Sequence, residues 1–310
     1  MSSPPQRILL TGANGHLGQQ WLQATAQSQP HITTRALVRS ERAADQVRAL
    51  GPDAQPEDLR IVDYADRKQL AAAARDCDAG IHLVGILKPS PTTSYQDAHE
   101  TTCRALADAA SEAGLRRLIY PSIFGASASS TNACLASKGR AEQILVDSGT
   151  PTTVLRLPMV LGPGDFATRA LAGQARANFV PLVGGGSTLQ QPIDVRDVVK
   201  ALLRAVEVSP PLNEVLELGG PETLSHTDLV KRAAAIVGGR PRILPIPLGA
   251  VRAISSLLEA LLANPPLSRT VLEVLQHDDR IDNARALAAL DLELHDLGDT
   301  LRYCLLGGLE

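Results

Sequence analysis

Several features that define common protein classes are missing from this sequence of 310 residues. The four cysteines stand far apart and form no C-x-x-C pair, which argues against a zinc site, a redox pair or a disulfide framework. They are Cys77, Cys103, Cys134 and Cys304. We therefore expect no bound metal and a reducing compartment, the cytoplasm.

Charge of either sign is not in excess. The chain has 30 lysine and arginine residues against 33 aspartate and glutamate residues, a formal net charge of −3, and no basic block. Nucleic acid is therefore not an expected partner. Small molecules and proteins are the expected ones.

Long apolar runs are also absent. No run reaches the roughly 18 residues that a membrane-spanning helix needs. The first six residues, MSSPPQ, lack the cationic start and apolar centre of a signal peptide. We expect a soluble protein without a transmembrane segment, and a peripheral position on a membrane stays open.

A glycine-rich stretch near the start organises the rest of the chain. It follows the apolar run 8–10 and precedes a helical pattern that begins at about residue 17. Gly12 can adopt the angles of a tight turn, Gly15 lets the main chain approach a pyrophosphate, and Gly18 lets the helix pack on the strand. The helix N-terminus then favours an anion. The predicted cofactor contacts here are Gly12, Asn14, Gly15, His16, Leu17 and Gly18.

Strand-like and helix-like segments alternate through the first half, which predicts βαβ units and a parallel sheet. Strands are predicted at 8–10, 31–38, 59–62, 79–84, 117–120 and 152–160, and helices at 41–50, 98–113, 135–146 and 198–206, with a further helix capped by Asp66. The fold class is therefore α/β, a Rossmann-type doubly wound parallel sheet. Residues 1–160 form the predicted cofactor domain, completed by a strand around 213–219. Residues 161–310, rich in glycine and proline clusters, form a small interleaved lobe.

About twenty residues after the last motif glycine, a NAD-preferring site places an Asp or Glu on the ribose hydroxyl. This chain has Arg39 there, followed by Ser40. A cation suits the 2′-phosphate of NADP, so NADP(H) is expected rather than NAD(H); the alternative is a solvated arginine. Asp63 and Tyr64 are placed to contact the adenine or to form a simple turn. The fourth strand ends against the cofactor crevice at Leu83, Val84 and Gly85.

Several motifs, taken in order along the chain, indicate a particular protein family. They are TGANGHLG, HLVGIL at 82–87, Ser122, the Ser137-Lys138 pair, RLP at 156–158 with GPGD at 162–165, and PIDVRDV at 192–198. This set resembles an atypical short-chain dehydrogenase/reductase. Within that class it is most similar to the family of the nucleotide-binding accessory subunit of respiratory complex I, alpha subcomplex subunit nine, and its bacterial relatives. The resemblance runs from about residue 7 to residue 301.

The resemblance implies an active site with one departure. Active members use a Ser, a Tyr and a Lys four residues after that Tyr; Ser122 and Lys138 match, but Cys134 stands in the tyrosine position. A thiol is the stronger acid, with a pKa of about 8.5 against about 10. It lies closer to the backbone, however, and acid catalysis needs contact at roughly 2.6 to 3.2 Å. Cys134 is therefore a candidate acid or a small core residue.

Side chains from other helices, strands or loops could replace the tyrosine phenol that this chain lacks at position 134. Tyr95, Tyr120 and His99 are candidates, each with a core or loop role as the alternative. Lys138 keeps its implied contact with the nicotinamide ribose. The same resemblance implies that Pro158 and Val160 line the nicotinamide side of the cofactor site.

Two functions remain open from the sequence. One is an NADP-dependent reductase or isomerase with a non-standard acid. The other is a non-catalytic NADP(H)-binding accessory or redox-sensing protein linked to a respiratory complex or to quinone metabolism. The apolar helix predicted at 248–262 is expected to pack in the core, to line a pocket for an apolar small-molecule substrate, or to touch a membrane surface or a membrane-associated protein partner. A position of the protein peripheral to the inner membrane stays open.

Overall fold

The computed structural model describes residues 6–29, 31–251 and 269–307. The chain divides into two compact units. The first contains Met1–Arg156 and Val199–Leu216, and the second contains Leu157–Val198 and Glu217–Glu310.

The strands, in chain order, are β1 (Gln6–Thr11), β2 (Ile32–Val38), β3 (Asp58–Ile61), β4 (Ala79–His82), β5 (Arg117–Ile123), β6 (Thr152–Leu157), β7 (Val160–Leu161), β8 (Phe179–Val183), β9 (Leu189–Gln190), β10 (Ile193–Asp194), β11 (Glu214–Glu217), β12 (Leu224–Ser225) and β13 (Arg242–Ile246). The helices are α1 (His16–Ser28), α2 (Glu41–Arg48), α3 (Arg67–Ala74), α4 (Thr102–Ala113), α5 (Ala133–Val146), α6 (Phe166–Arg176), α7 (Val195–Glu207), α8 (His226–Val237), α9 (Arg269–Leu275), α10 (Ala284–Leu290) and α11 (Leu297–Leu306).

The first unit is built on a seven-stranded sheet in the order β11-β6-β5-β4-β1-β2-β3. The pairs β1–β2, β2–β3, β1–β4 and β4–β5 are parallel. The strand order reverses between β1 and β4, and Thr11 at the end of β1 is level with both Leu37 and His82. In such sheets a ligand binds outside the carboxyl ends of the strands at this reversal. The predicted α/β class and Rossmann-type sheet are confirmed.

The helix ends follow from local chemistry. The Asp66 carboxylate accepts hydrogen bonds from the amides of Lys68 and Gln69, so the predicted cap of α3 is present. Gly114, with φ of 72°, ends α4 in the left-handed conformation that glycine favours. The helix predicted from residue 98 begins earlier, because a π-helical turn at Gln96–Thr101 leads into α4.

The predicted sixth strand is too long. It was expected to run to residue 160, but β6 ends at Leu157. Pro158 follows and has no N–H group with which to continue a ladder. Val160 starts a separate short strand, β7, which pairs in parallel with β10 in the second unit.

Within its described residues, the second unit combines three two-stranded sheets with helices. The sheets pair β7 with β10, β9 with β12, and β8 with β13. Its core lies among α6, α8 and α11, with Leu171, Val230 and Leu301 nearly or fully buried. Of the apolar helix predicted at 248–262, residues 248–251 are helical, and residues 252–262 lie outside the described residues. No helix within the described ranges is long and apolar enough to cross a membrane.

Candidate functional site

The glycine turn between β1 and α1 has the geometry that its sequence predicts. Gly12 has a φ of 72°, which a side chain would strain. Gly15 is the N-cap of α1 and is exposed, so the first amides of the helix follow an open backbone position. A Cβ at Gly18 would lie 2.7 Å from the carbonyl oxygen of Ala13, so only glycine allows the helix to approach the turn this closely. The turn and the helix N-terminus together form an anion site.

Tyr64 holds this turn in place. Its hydroxyl accepts a hydrogen bond from the amide of Gly12 at 2.9 Å and donates one to the carbonyl oxygen of Leu37 at 2.7 Å. Burial raises the pKa of Tyr64 to about 12, so the hydroxyl stays protonated at neutral pH. The sequence suggested an adenine contact for this residue. The bracing role was not predicted, because it depends on a side chain 52 residues away from the turn.

A cavity of about 320 Å³ lies beside the glycine turn. It is lined by residues that follow β1, β2, β3 and β4 and by the start of the helical segment before α4. The lining residues are Gly12, Asn14, Gly15, Arg39, Asp63, Tyr64, Ala65, Leu83, Val84, Gly85, Ile86, Thr92, Thr93, Asp97, Ala98 and Thr102. Nine of the predicted cofactor contacts are therefore brought to one place: Gly12, Asn14, Gly15, Arg39, Asp63, Tyr64, Leu83, Val84 and Gly85.

Arg39 is the cation of this cavity. Its side chain is exposed, and it has no ion pair or hydrogen bond with any residue that the structure describes. The next residue, Ser40, caps α2 by accepting a hydrogen bond from the amide of Ala43 at 3.3 Å. Asn14 donates to the side chain of Gln46 at 2.9 Å, which ties the turn to α2. The guanidinium is thus available to an external anion.

Three predicted cofactor contacts, His16, Leu17 and Gly18, lie on the glycine turn and α1 but do not line this cavity. His16 and Leu17 begin α1 and are half-buried, and Gly18 is buried against Ala13. Pro158 and Val160 belong to the second unit, before and on β7. Their predicted place beside the nicotinamide stays a prediction.

The chain that leaves β4 is fixed by side chains from the segment before α4 and from α5. His99 Nε2 lies 3.1 Å from both the amide nitrogen and the carbonyl oxygen of Ile86. The Cys134 thiol donates to that carbonyl oxygen at 3.9 Å. Tyr95 donates its hydroxyl to the carbonyl of Leu87 at 2.8 Å. These contacts shape the cavity wall at residues 85–87.

All three of these groups were candidate proton donors, and two of them, Cys134 and Tyr95, have a raised pKa. Cys134 is 2 % exposed, and burial raises the pKa of its thiol while the charge of Lys138 opposes that shift. Burial also raises the pKa of Tyr95. Both groups have backbone carbonyls as partners, so each is held in the cavity wall.

Lys138 lies beside this wall at Gly85. Its Nζ donates to the phenol oxygen of Tyr120 at 2.9 Å and lies 4.4 Å from the centre of that ring. A Cβ at Gly85 would lie 3.1 Å from the same Nζ, so the glycine leaves room for the ammonium group beside the cavity. Burial lowers the pKa of Lys138.

Ser122 lies two residues after Tyr120 on β5, and alternate residues of a strand share a face. Its Oγ is buried and has no hydrogen-bond partner among the described residues. Lys138 Nζ is 3.5 Å from the carbonyl oxygen of Pro121, which lies between Tyr120 and Ser122 in the chain. A buried hydroxyl without a partner costs free energy unless a ligand satisfies it.

A neutral histidine lies under the same site. His82 is 1 % exposed, with Nδ1 2.7 Å from the Thr11 hydroxyl and Nε2 3.3 Å from the Thr102 hydroxyl. Burial, with a contribution from Lys138, lowers the pKa of His82 to about 3. Burial likewise lowers the pKa of His99 to about 4. Both imidazoles are therefore neutral at neutral pH.

Comparison with known families agrees with this geometry. The model of the NAD(P)H-binding family matches residues 12–206. The chain belongs to this family and is an atypical short-chain dehydrogenase/reductase that binds NAD(P)(H). The predicted family resemblance is confirmed.

Individual relatives include both a respiratory subunit and reductases. The chain is 26% identical to subunit 9 of the NADH dehydrogenase [ubiquinone] 1 alpha subcomplex of Arabidopsis thaliana, over 92% of this chain and 74% of that protein. It is 27% identical to the ceramide reductase of Caulobacter vibrioides, over 82% and 77%. It is also 27% identical to a farnesyl-dihydroquinoline-oxide ketoreductase of Stigmatella aurantiaca, over 82% and 80%.

A solved structure supports the fold. UDP-glucuronic acid 4-epimerase from Bacillus cereus, in complex with UDP-glucuronic acid and NAD, superposes with a TM-score of 0.72. The match covers 96% of both chains at 18% identity. At this identity it establishes the shared fold.

Proposed function

We propose that the chain is an NADP(H)-dependent reductase of a carbonyl compound and that the cavity of the first unit holds the cofactor. Arg39, which has no protein partner among the described residues, would hold the 2′-phosphate, and the glycine turn would hold the pyrophosphate. A charge-assisted hydrogen bond of this kind contributes roughly 1.5 to 3 kcal/mol. NADP(H) is therefore bound in preference to NAD(H).

The partnerless hydroxyl of Ser122 is the observation on which the reductase proposal depends. In a bound state this hydroxyl donates to a substrate carbonyl oxygen. When bound, NADPH supplies the hydride to the carbonyl carbon. Lys138 would contact the nicotinamide ribose and would give a proton to the substrate oxygen; burial lowers its pKa, which favours release of that proton.

The two reductase relatives support this choice. Their names describe a ceramide and a farnesylated ketone, both of which carry long apolar chains. We therefore propose a ketone with an apolar chain as the substrate class.

Steady-state NADPH oxidation with a panel of long-chain ketones tests the proposal. Ser122→Ala should lower kcat by about 10²-fold or more while the Kd for NADPH stays unchanged, since the hydroxyl serves the substrate and not the cofactor. Ser111→Ala, at an exposed position of α4, is the matched control. Equal kcat in Ser122→Ala and wild type would refute the role of Ser122.

A second function is favoured by a different observation. Cys134 is buried where active relatives of this class have a tyrosine, and a respiratory subunit is as similar to the chain as the reductases are. In this case NADP(H) stabilises the protein without turnover. Stabilisation by NADPH in thermal melts, together with no ketone reduction above the background rate, would select this function over the first.

A further inference from the structure

The outer face of the β8–β13 ribbon in the second unit has an unusual composition. The two strands are parallel and in register, with Phe179 beside Arg242 and Pro181 beside Leu244. All four residues are exposed, Phe179 by 56% and Leu244 by 46%. Two large apolar side chains and a proline therefore surround a cation on one solvent-facing surface. Such exposed apolar groups mark interaction sites when they occur together.

Two further arginines flank this face. Arg176 is the last residue of α6, two residues before Asn178, whose carbonyl accepts a hydrogen bond from the amide of Arg242. Arg240 is next to Gly239, where a Cβ would overlap the carbonyl oxygen of Ala175, so the two segments touch. We call these six residues the ribbon patch: Arg176, Phe179, Pro181, Arg240, Arg242 and Leu244.

The arginines of the ribbon patch are not neutralised by the protein. None of the three has an ion pair within the described residues, whereas Arg232 pairs with Glu222 at 2.6 Å and Arg196 with Asp194 at 2.6 Å. The segments 166–183 and 238–246 contain four arginines and no acidic residue.

The acidic residues next to these segments are already engaged. Asp165 accepts hydrogen bonds from the amide of Gly162 and the hydroxyl of Thr168. Asp228 accepts from the hydroxyl of Ser225 and lies 3.9 Å from Lys231. The patch therefore combines unpaired positive charge with exposed apolar side chains.

We propose that the ribbon patch binds the surface of an anionic lipid bilayer. A bilayer supplies both complements that the patch requires: anionic headgroups for the three guanidinium ions and an apolar boundary for Phe179 and Leu244. An acidic polypeptide supplies only the first. The proposal does not depend on cofactor binding, because every residue of the patch belongs to the second unit.

Vesicle co-sedimentation of the full chain tests this surface. We expect binding to phosphatidylcholine vesicles that contain phosphatidylglycerol, weak binding to pure phosphatidylcholine, and loss of binding at high ionic strength. One basic side chain near an anionic surface contributes about a five-fold factor. Arg240→Gln with Arg242→Gln should therefore lower the partition coefficient about 25-fold, and Phe179→Ser should lower it further.

Matched variants keep the test specific. Arg104→Gln, an exposed arginine of α4 without an ion pair in the described part of the chain, and Leu306→Ser, 48% exposed on α11, should bind vesicles like the wild type. All variants should melt like the wild type, because the changed side chains are exposed. Failure of the wild type to bind anionic vesicles overturns the proposal. Binding to polyglutamate with none to vesicles also overturns it and indicates an acidic protein partner instead.

Discussion

The phenol oxygen of Tyr120 lies 2.9 Å from the ammonium nitrogen of Lys138, and the phenol comes from strand β5. In active relatives of this class the tyrosine near this lysine comes from the lysine's own helix, where this chain has Cys134. Tyr120 is fully buried, and burial raises its pKa well above the usual value. It therefore acts on Lys138 by accepting its hydrogen bond and by presenting its ring to the charge.

Replacing Tyr120 by Phe should shift the pH dependence of cofactor binding. The variant loses an acceptor that favours the charged form of Lys138, so the pKa of Lys138, already lowered by burial, should fall further. The alkaline limb of NADPH binding should therefore move to lower pH. Tyr95→Phe, whose hydroxyl donates to Leu87, is the control. An unchanged alkaline limb in Tyr120→Phe would show that the phenol does not tune the lysine.

Gly18→Ala should destabilise the cofactor turn. The added Cβ would lie within 2.8 Å of three main-chain atoms of Ala13, which cannot move away without opening the turn. Overpacking of this kind costs about 1 to 3 kcal/mol. Gly173→Ala, in the interior of α6 with open space around it, should instead stabilise by about 0.5 to 1 kcal/mol. Urea unfolding of the two variants measures both changes, and equal effects would contradict the packing argument.

His82 should make the protein sensitive to acid. Its pKa is lowered to about 3 in the folded state, and the unfolded value is about 6.5, so below pH 6.5 the unfolded state binds the proton more readily. Stability is therefore lost as pH falls through this window, by up to about 1.4 kcal/mol per pH unit. His82→Asn should lose about 2 kcal/mol less than the wild type between pH 7 and pH 5.

The matched control is His31→Asn, at a half-buried position away from the site. Unfolding free energies for wild type and both variants at the two pH values provide the comparison. Identical pH slopes for wild type and His82→Asn would mean that the buried imidazole is not the source of the acid sensitivity.

Cys134→Ala should retain NADPH binding and any ketone reduction within a few-fold. The thiol is buried, has a raised pKa and contacts the carbonyl of Ile86, so it belongs to the cavity wall. General acid catalysis is worth about 10² to 10⁴-fold, so its loss would be obvious. Steady-state rates of wild type and Cys134→Ala decide the point. A collapse of turnover in the alanine variant would identify the thiol as the acid.

The local parts of the fold could be predicted from the sequence because their causes are local. The glycine turn, the Asp66 cap and the Gly114 helix end each depend on residues within one or two turns. The sheet class followed from the alternation of strands and helices. The end of β6 was wrong by three residues, because the pattern of apolar residues continues past Pro158 while the hydrogen-bond ladder cannot.

The connections within the site could not be predicted, because they join distant segments. Tyr64 braces Gly12 across 52 residues, and His82 lies between Thr11 and Thr102. Tyr120 was one of three candidate phenol replacements, and only tertiary packing shows that it is the one bonded to Lys138. Residue type alone does not predict these contacts.

Calorimetric titration of NADPH and NADH into wild type and Arg39→Ala tests the central claim, that this cavity binds the phosphorylated cofactor through Arg39. The wild type should bind NADPH about ten- to a hundred-fold more tightly than NADH. Arg39→Ala should lose that preference with little change for NADH, and Arg104→Ala should retain it. Equal affinity of the wild type for both cofactors, or an unchanged preference in Arg39→Ala, would contradict the account.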